Sequence, residues 1–240
     1  MATNYSPKII TDGLIFMVDF ADRNCFPGSG TTVTDLVSTK TLSAENSPTI
    51  TSAHPGYMSS ATGGKRITRQ SNDLGSVLGN EITLASWWRG TGAGGASSNA
   101  RIMEVYAVDS APSSGHALLR GSSNGTPTAW LNDNGNSTSN RFHTITAATT
   151  IADNIWTYQV CTYSSPTVKL YLNGTLSQTG TSAVTTALDD ALNVTIGAYE
   201  ASTSNYFMTG DISICKIYNR ALTAAEVSQN FNAQRHRFGV

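Results

Sequence analysis

Charge is scarce in this chain. Asp, Glu, Lys and Arg make up 13% of the 240 residues and the formal net charge is -1, which removes the electrostatic footprint of a nucleic-acid binder or of a protein drawn to an anionic membrane. Cysteine is scarcer still. Cys25, Cys161 and Cys215 are odd in number, far apart and never in a CxxC pair, so neither a disulfide framework nor a zinc site is expected, and all three read as small buried apolar residues. The four histidines, His54, His116, His143 and His236, show no HxH or HExxH spacing, and no serine sits in a G-x-S-x-G elbow, which leaves metallohydrolase and Ser–His chemistry without their parts. No apolar run approaches membrane-spanning length, and the start MATNYSPKIITDG lacks the basic end and apolar stretch of a secretory leader. The expectation is a chain made and kept in a cytoplasm, in which the sequons at Asn124 and Asn173 carry no meaning.

What is abundant is Thr, Ser, Asn and Gly between short apolar runs, the composition of many strands joined by polar turns. GLIFMVDF (13–20) is apolar almost throughout and should be covered on both faces. The loop ADRNCFPGSGTTVTDL follows, then a polar, weakly patterned region reaching about Gly64. ITLASWWRG (82–90), RIMEVYAVD (101–109), HALLRG, PTAWLNDNG, WTYQVCTY and LNVTIGAY (192–199) continue as short runs closed by Gly, Asn or Asp. In TVKLYLNGTLSQTG, Val168, Leu170 and Leu172 alternate with Lys169 and Tyr171. The Asn173-Gly174 dipeptide supplies the two positive φ angles of a type I′ turn, predicting a two-residue hairpin whose alternate residues face the core. Roughly eleven to thirteen strands are expected, with one short helix.

That helix is signalled in GDISICKIYNRALTAAEVSQNF (210–231), which reads as a strand, a corner and a capped helix. Thr223 followed by Glu226 is a capping box, with Leu222 and Val227 as the accompanying hydrophobic staple. Ala224, Ala225, Val227 and Phe231 give an apolar stripe on a helix too short to stand alone, so it should lie against a sheet.

The order WTYQVCTY, VKLYLNG, LNVTIGAY and FMTGDISICKIYNRALTAAEV resembles the laminin-G-like, concanavalin A-like jelly roll over about residues 150 to 235. ITLASWWRG looks like that family's first inner-sheet strand, with Trp87 at its core-tryptophan position. The N-terminal TDGLIFMVDFADRNCFPGSGTTVTDL resembles the opening of single-domain virion components of tailed bacteriophages. The resemblance implies an all-β, two-sheet antiparallel jelly-roll sandwich with one short C-terminal helix. It implies a single domain over residues 1–240, whose first and last strands pair and bring the termini together. It further implies a non-enzymatic bacteriophage virion protein, a capsid decoration or tail-fibre component. Phage capsid or tail proteins would be its partners, in a homo-oligomer or multicopy array, with a cell-surface glycan as a further partner. A carbohydrate-binding lectin or adhesin is the alternative, and a glycosidase or lyase the third reading.

The hydrolase branch of this family carries its carboxylates as Glu-x-Asp-x-x-Glu, and no such run is present. Glu104 and Asp109 fall on opposite faces of a regular strand, so no catalytic residue is assigned and no enzyme is expected. Relatives often hold calcium at a loop rim, which makes Asp109, Asp133, Asp189 and Asp190 candidates. LNDNGN, from Leu131, lacks the distal Glu of an acidic calcium loop and reads equally well as an Asn-Gly turn. Asp133 is the candidate metal ligand, calcium the one cofactor considered. Sugar binding needs exposed rings beside amides and carboxylates, and Trp88, Trp130, Tyr106, Tyr199 and Tyr206 are the available rings. Trp130 with Asn132, Asp133 and Asn134 is the best grouping among them.

Overall fold

The computed structural model describes residues 7–60, 64–69, 80–90, 100–107, 115–120, 125–132, 142–182, 192–199 and 206–240. Among them run the strands β1 (Leu14–Asp19), β2 (Thr32–Thr34), β3 (Thr41–Glu45), β4 (Thr49–Thr51), β5 (Tyr57–Ser60), β6 (Arg66–Arg69), β7 (Glu81–Gly90) and β8 (Ala100–Ala107). They continue as β9 (Gly115–Arg120), β10 (Pro127–Asn132), β11 (Phe142–Thr146), β12 (Thr157–Ser164), β13 (Thr167–Leu172), β14 (Thr175–Thr181), β15 (Leu192–Ile196) and β16 (Gly210–Tyr218). Helix α1 (Ala224–Gln234) and a 3-10 turn (Arg235–Phe238) close the chain. The first sheet has the order β14-β13-β12-β7-β16-β5-β4, with β1 also on β16, and the second β11-β10-β9-β8-β15-β6-β3-β2.

The sheets face one another across alternating positions. Ala44, Ile67, Ile196, Met103, Leu118, Ala129 and Ile145 form one cross-strand row on the inner side of the second sheet. They pack with Phe16, Val18, Leu84, Trp88, Cys161, Val168, Leu170, Cys215 and Ile217 of the first sheet, the interdigitated core of an aligned sandwich. The first sheet's outer side is also apolar. Met17, Ala85, Trp87, Tyr158, Val160, Tyr171, Ile214 and Tyr218 meet Leu222, Val227 and Phe238 there, so β1, β7, β12 and β16 are covered twice, as their continuous apolar runs require. Trp87 stacks on Phe238 at 4.0 Å and on Tyr158 at 5.2 Å between centroids. It is Trp88 that fills the inter-sheet core, its Nε1 donating to Gln159 Oε1 at 3.0 Å. Trp87 is a core tryptophan as expected, in the cluster beneath the helix, and one correction follows: Trp88 is no exposed ring.

The capping box forms as expected, Thr223 Oγ1 accepting from the Glu226 amide at 3.3 Å while Glu226 Oε2 accepts from the Thr223 amide at 2.8 Å. Arg220 grips the same carboxylate through both terminal nitrogens, at 3.0 and 2.6 Å. This pairing, first among the causes, holds the Glu226 pKa down at about 2. The buried helix positions are Val227, Asn230 and Gln234, while Ala224 and Ala225 are exposed. That stripe was misassigned because the sheet offers hydrogen-bonding partners that helical periodicity cannot show. Asn230 Nδ2 donates to the Tyr218 hydroxyl at 3.1 Å, and Gln234 Oε1 accepts from Lys216 Nζ at 2.8 Å. The outermost strands join as predicted. β1 pairs with β16, and Asn230 Oδ1 accepts from the Ile10 amide at 2.8 Å, tying the N-terminal segment to the C-terminal helix.

More strands form than composition suggested, because the region up to Gly64 contains β2, β3, β4 and β5, of three to five residues each. Such pieces are too short to display a period. The hairpin prediction holds: Asn173 and Gly174 have φ of 48° and 79° and join β13 to β14, with Val168 and Leu170 in the core and Leu172 packed against it. A Cβ at Gly174 would lie 3.0 Å from Phe231 Cδ1 of α1. Gly174→Val combines a positive φ that a β-branched residue resists with that clash. It is expected to destabilise the domain by about 2–3 kcal/mol, read as a lower urea midpoint, and a loss under about 0.5 kcal/mol would contradict it.

Candidate functional site

Helix α1 occupies the outer side of the first sheet, while the outer side of the second carries a largely buried set of polar and aromatic side chains. Its register gathers side chains from widely separated parts of the chain. One outward row runs Thr32, Ser43, Thr68, Thr195, Glu104, Ala117, Trp130, Thr144 across all eight strands. Flanking rows hold Asn193, Tyr106 and Asn132 on one side and Arg101, Leu119 and Thr128 on the other.

A bulge creates this grouping. In a regular strand Arg101 would share a face with Met103 and Val105, but the register shifts between Arg101 and Met103. Ile102, Met103 and Val105 all enter the core, and Arg101 joins Glu104 and Tyr106 outside. Bulges re-aim side chains in this way.

Along β9 the outward residues are small or apolar, Ala117 and Leu119. β8 therefore forms one wall of a trough with Arg101, Glu104 and Tyr106, and β10 the other with Thr128, Trp130 and Asn132. Two strand spacings separate the walls, about 9.5 Å. The Arg101 guanidinium lies 4.2 Å from the Trp130 ring centroid, 5.2 Å from Tyr199 and 5.6 Å from Tyr206. Its Nε forms an ion pair with Glu104 Oε1 at 3.4 Å. Tyr199 and Tyr206 meet edge to face at 5.7 Å. Tyr206 carries a φ of 62°, and its carbonyl accepts from the Arg101 amide at 3.0 Å. A cation among three rings, balanced by one carboxylate, leaves the trough close to neutral while rich in π-faces.

Beyond the β8 wall the polar groups of this face are unequally satisfied. Asn193 Nδ2 donates to the Tyr106 hydroxyl at 3.2 Å, yet among the described residues Asn193 Oδ1 and Thr68 Oγ1 have no hydrogen-bond partner, on residues only 4% and 1% exposed. Buried acceptors in that condition are costly. A hydroxyl-bearing ligand is one group that satisfies them.

Of the sites expected from sequence, Trp130 and Asn132 stand half-buried on the trough wall, and Tyr106, Tyr199 and Tyr206 join them on the same face. Asp133, Asp109, Asp189 and Asp190 lie outside the described residues. Among the described residues no three His, Cys, Asp or Glu groups cluster to hold a metal. Cys25, Cys161 and Cys215 are buried with thiols pushed up to about 12 by desolvation, inert as expected. Arg101, Asn193 and Thr68 were missed. No local signal marks them, since their partners sit on other strands.

The sequence matches the concanavalin A-like lectin/glucanases superfamily over residues 60–228. Residues 11–36, on which the expectation of a virion component rested, lie outside that match. No curated protein sequence matches the chain. Among solved structures, Trypanosoma rangeli sialidase with the inhibitor DANA is similar at 10% identity and a TM-score of 0.69, covering 98% of this chain and 36% of the sialidase. Domain 4 of AbnA, a GH43 extracellular arabinanase from Geobacillus stearothermophilus in complex with arabinotriose, is similar at 15% identity and a TM-score of 0.65, covering 90% of this chain and 97% of that domain. The botulinum neurotoxin serotype D ligand-binding domain with N-acetylneuraminic acid is similar at 13% identity and a TM-score of 0.64, covering 93% and 51%. The chain thus spans about a third of the sialidase, and at these identities the likeness is one of fold.

Proposed function

The chain belongs to the concanavalin A-like lectin/glucanases superfamily, and from that premise we propose that it is a glycan-binding module that takes its ligand in the trough over β9. The observation that carries this reading is Trp130, a half-buried ring on one wall, on the same sheet face as the unsatisfied acceptors Asn193 Oδ1 and Thr68 Oγ1, three and four strand spacings away, about 14 and 19 Å, a distance that an oligosaccharide spans. A sugar offers apolar C–H faces to a ring and hydroxyl donors to such oxygens. That arabinotriose and N-acetylneuraminic acid occupy proteins of this fold supports glycans as the ligand class.

Binding without hydrolysis is the form of the proposal. Glycosidic cleavage uses two carboxylates roughly 5–9.5 Å apart. On the described part of this face Glu104 is already paired with Arg101, and Glu45 is held by Arg66 at 2.6 Å. The backbones of their strands are three spacings apart, about 14 Å. An oligosaccharide array followed by calorimetry tests the reading. The protein should retain at least one glycan, release no reducing ends, and lose about tenfold in affinity on Trp130→Ala, close to 1.4 kcal/mol. Unchanged affinity in that variant would move the site elsewhere, and reducing ends that vanish on Glu104→Gln would make the protein an enzyme.

A further inference from the structure

Trp130 is a stacking surface with something already on it. Three of the four tryptophans are packed away, Trp87 and Trp88 at 0% exposed and Trp156 at 7%. Trp130 alone is half-buried on the trough wall, and the Arg101 guanidinium lies 4.2 Å from its centroid. Ala117 and Leu119, the outward residues of β9 between the strands that carry the two side chains, are both 1% exposed. A sugar ring stacking on that face of Trp130 and the guanidinium would compete for the same space.

Resting on the glycan reading above, we propose that Arg101 is a built-in occupant of the Trp130 face, displaced on binding, and that the ligand displacing it is a neutral glycan. The second half follows from Glu104. Its carboxylate is 5% exposed on the same face and faces Arg101 across 3.4 Å, so the guanidinium swings away still holding its counter-charge. The trough that it vacates is lined by Ala117, Leu119 and Trp130. Among the described residues lining the trough, an acidic sugar entering there would meet Glu104 and no cation besides the Arg101 already paired with it. Arg101 is in this sense a positioning residue that sets affinity and selectivity through the ring it covers.

The test uses Arg101→Gln combined with Glu104→Gln, which removes the guanidinium without stranding a buried carboxylate, beside Trp130→Phe as a fluorescence reference. Acrylamide quenching of tryptophan emission should increase in the double variant, and the increase should vanish when Trp130→Phe is added. On an array carrying arabino- and gluco-oligosaccharides beside sialylated ones, the wild-type protein should bind neutral members. The double variant should bind them roughly 3- to 30-fold more tightly, the scale of a lost cation–π contact. Weaker or equal binding by the double variant, with wild-type binding intact, overturns this inference alone, because Arg101 is then a ligand contact or a bystander. Unchanged quenching does the same, as does a wild-type preference for sialylated glycans. No binding by either protein removes the glycan reading and this inference together.

Discussion

Asp35→Ala is expected to cost about 3–5 kcal/mol of folding stability, the scale for breaking a buried hydrogen-bonded ion pair by removing one partner. Asp35 is fully buried. Its Oδ1 accepts from the amides of Met17 and Val37, both at 3.0 Å, and its Oδ2 from Ser38 Oγ and Arg69 Nη1, both at 2.6 Å. Met17 lies on β1 in the first sheet and Arg69 on β6 in the second, so one carboxylate pins both sheets and the segment between them. Alanine strips Arg69, 2% exposed, of its carboxylate and orphans the Met17 amide together. Asp35→Asn keeps one acceptor oxygen and should lose less. Urea unfolding would show a lower midpoint at unchanged m for both variants, in the order Ala below Asn below wild type. A loss under about 1 kcal/mol for alanine would mean that the sheets are held without this pin.

Nothing in the sequence around Asp35 announces that role, and the contrast with what was legible is instructive. The hairpin at Asn173-Gly174 was readable because turn chemistry and alternation are both local, and so was the capping box, three residues from end to end. The doubly covered strands were readable too, since burial on both faces forces a continuous apolar run. What escaped was whatever depends on register. The bulge between Arg101 and Met103 turns Arg101 outward, and only then do Arg101, Glu104 and Tyr106 face one way. Trp130 and Asn132 could be picked out as a ring beside an amide, but Asn193 and Thr68 reach the same face from strands paired across long stretches of chain. Of the two adjacent tryptophans, the family resemblance marked Trp87 as a core residue and left Trp88 among the available rings. Which of two adjacent rings faces the opposite sheet and which faces the helix is a choice of phase, and composition says nothing about phase.

Lys216→Met is expected to stabilise the protein and to abolish a rise in stability between pH 7 and 9. Lys216 stands on β16, outward from the first sheet and 0% exposed beneath α1. Its Nζ donates to the neutral Gln234 Oε1 at 2.8 Å, which also accepts from Trp87 Nε1 at 3.2 Å, and the Tyr158 ring is 5.8 Å away. No ion pair is formed by it among the described residues. Burial lowers its pKa from 10.5 to about 7, partly opposed by the charge of Asp19 and reinforced by that of Arg237. Between those values the unfolded chain binds the proton and the folded one does not, so unfolding free energy climbs with pH, by at most about 1.4 kcal/mol per unit. Below pH 7 the amine is charged in both states and the desolvation cost is fully present. Above about pH 9 the three cysteines oppose the trend, since their thiols, raised from 9.0 to about 12, keep protons in the folded state that the unfolded chain has lost. Wild-type stability should therefore rise from pH 7, peak near pH 9 and then fall. Methionine matches the length of the lysine stem, leaves Gln234 its bond from Trp87, and removes the charge. The variant should be more stable than wild type by about 1–4 kcal/mol at pH 6 and nearly flat from pH 7 to 8, with the alkaline fall, which begins as the unfolded thiols ionise toward pH 9, retained. Urea titrations of both proteins at pH 6, 7, 8, 9 and 10 would settle it: parallel curves would show that the amine titrates outside this window and that the polar contact with Gln234, not the buried charge, governs how the C-terminal helix is held.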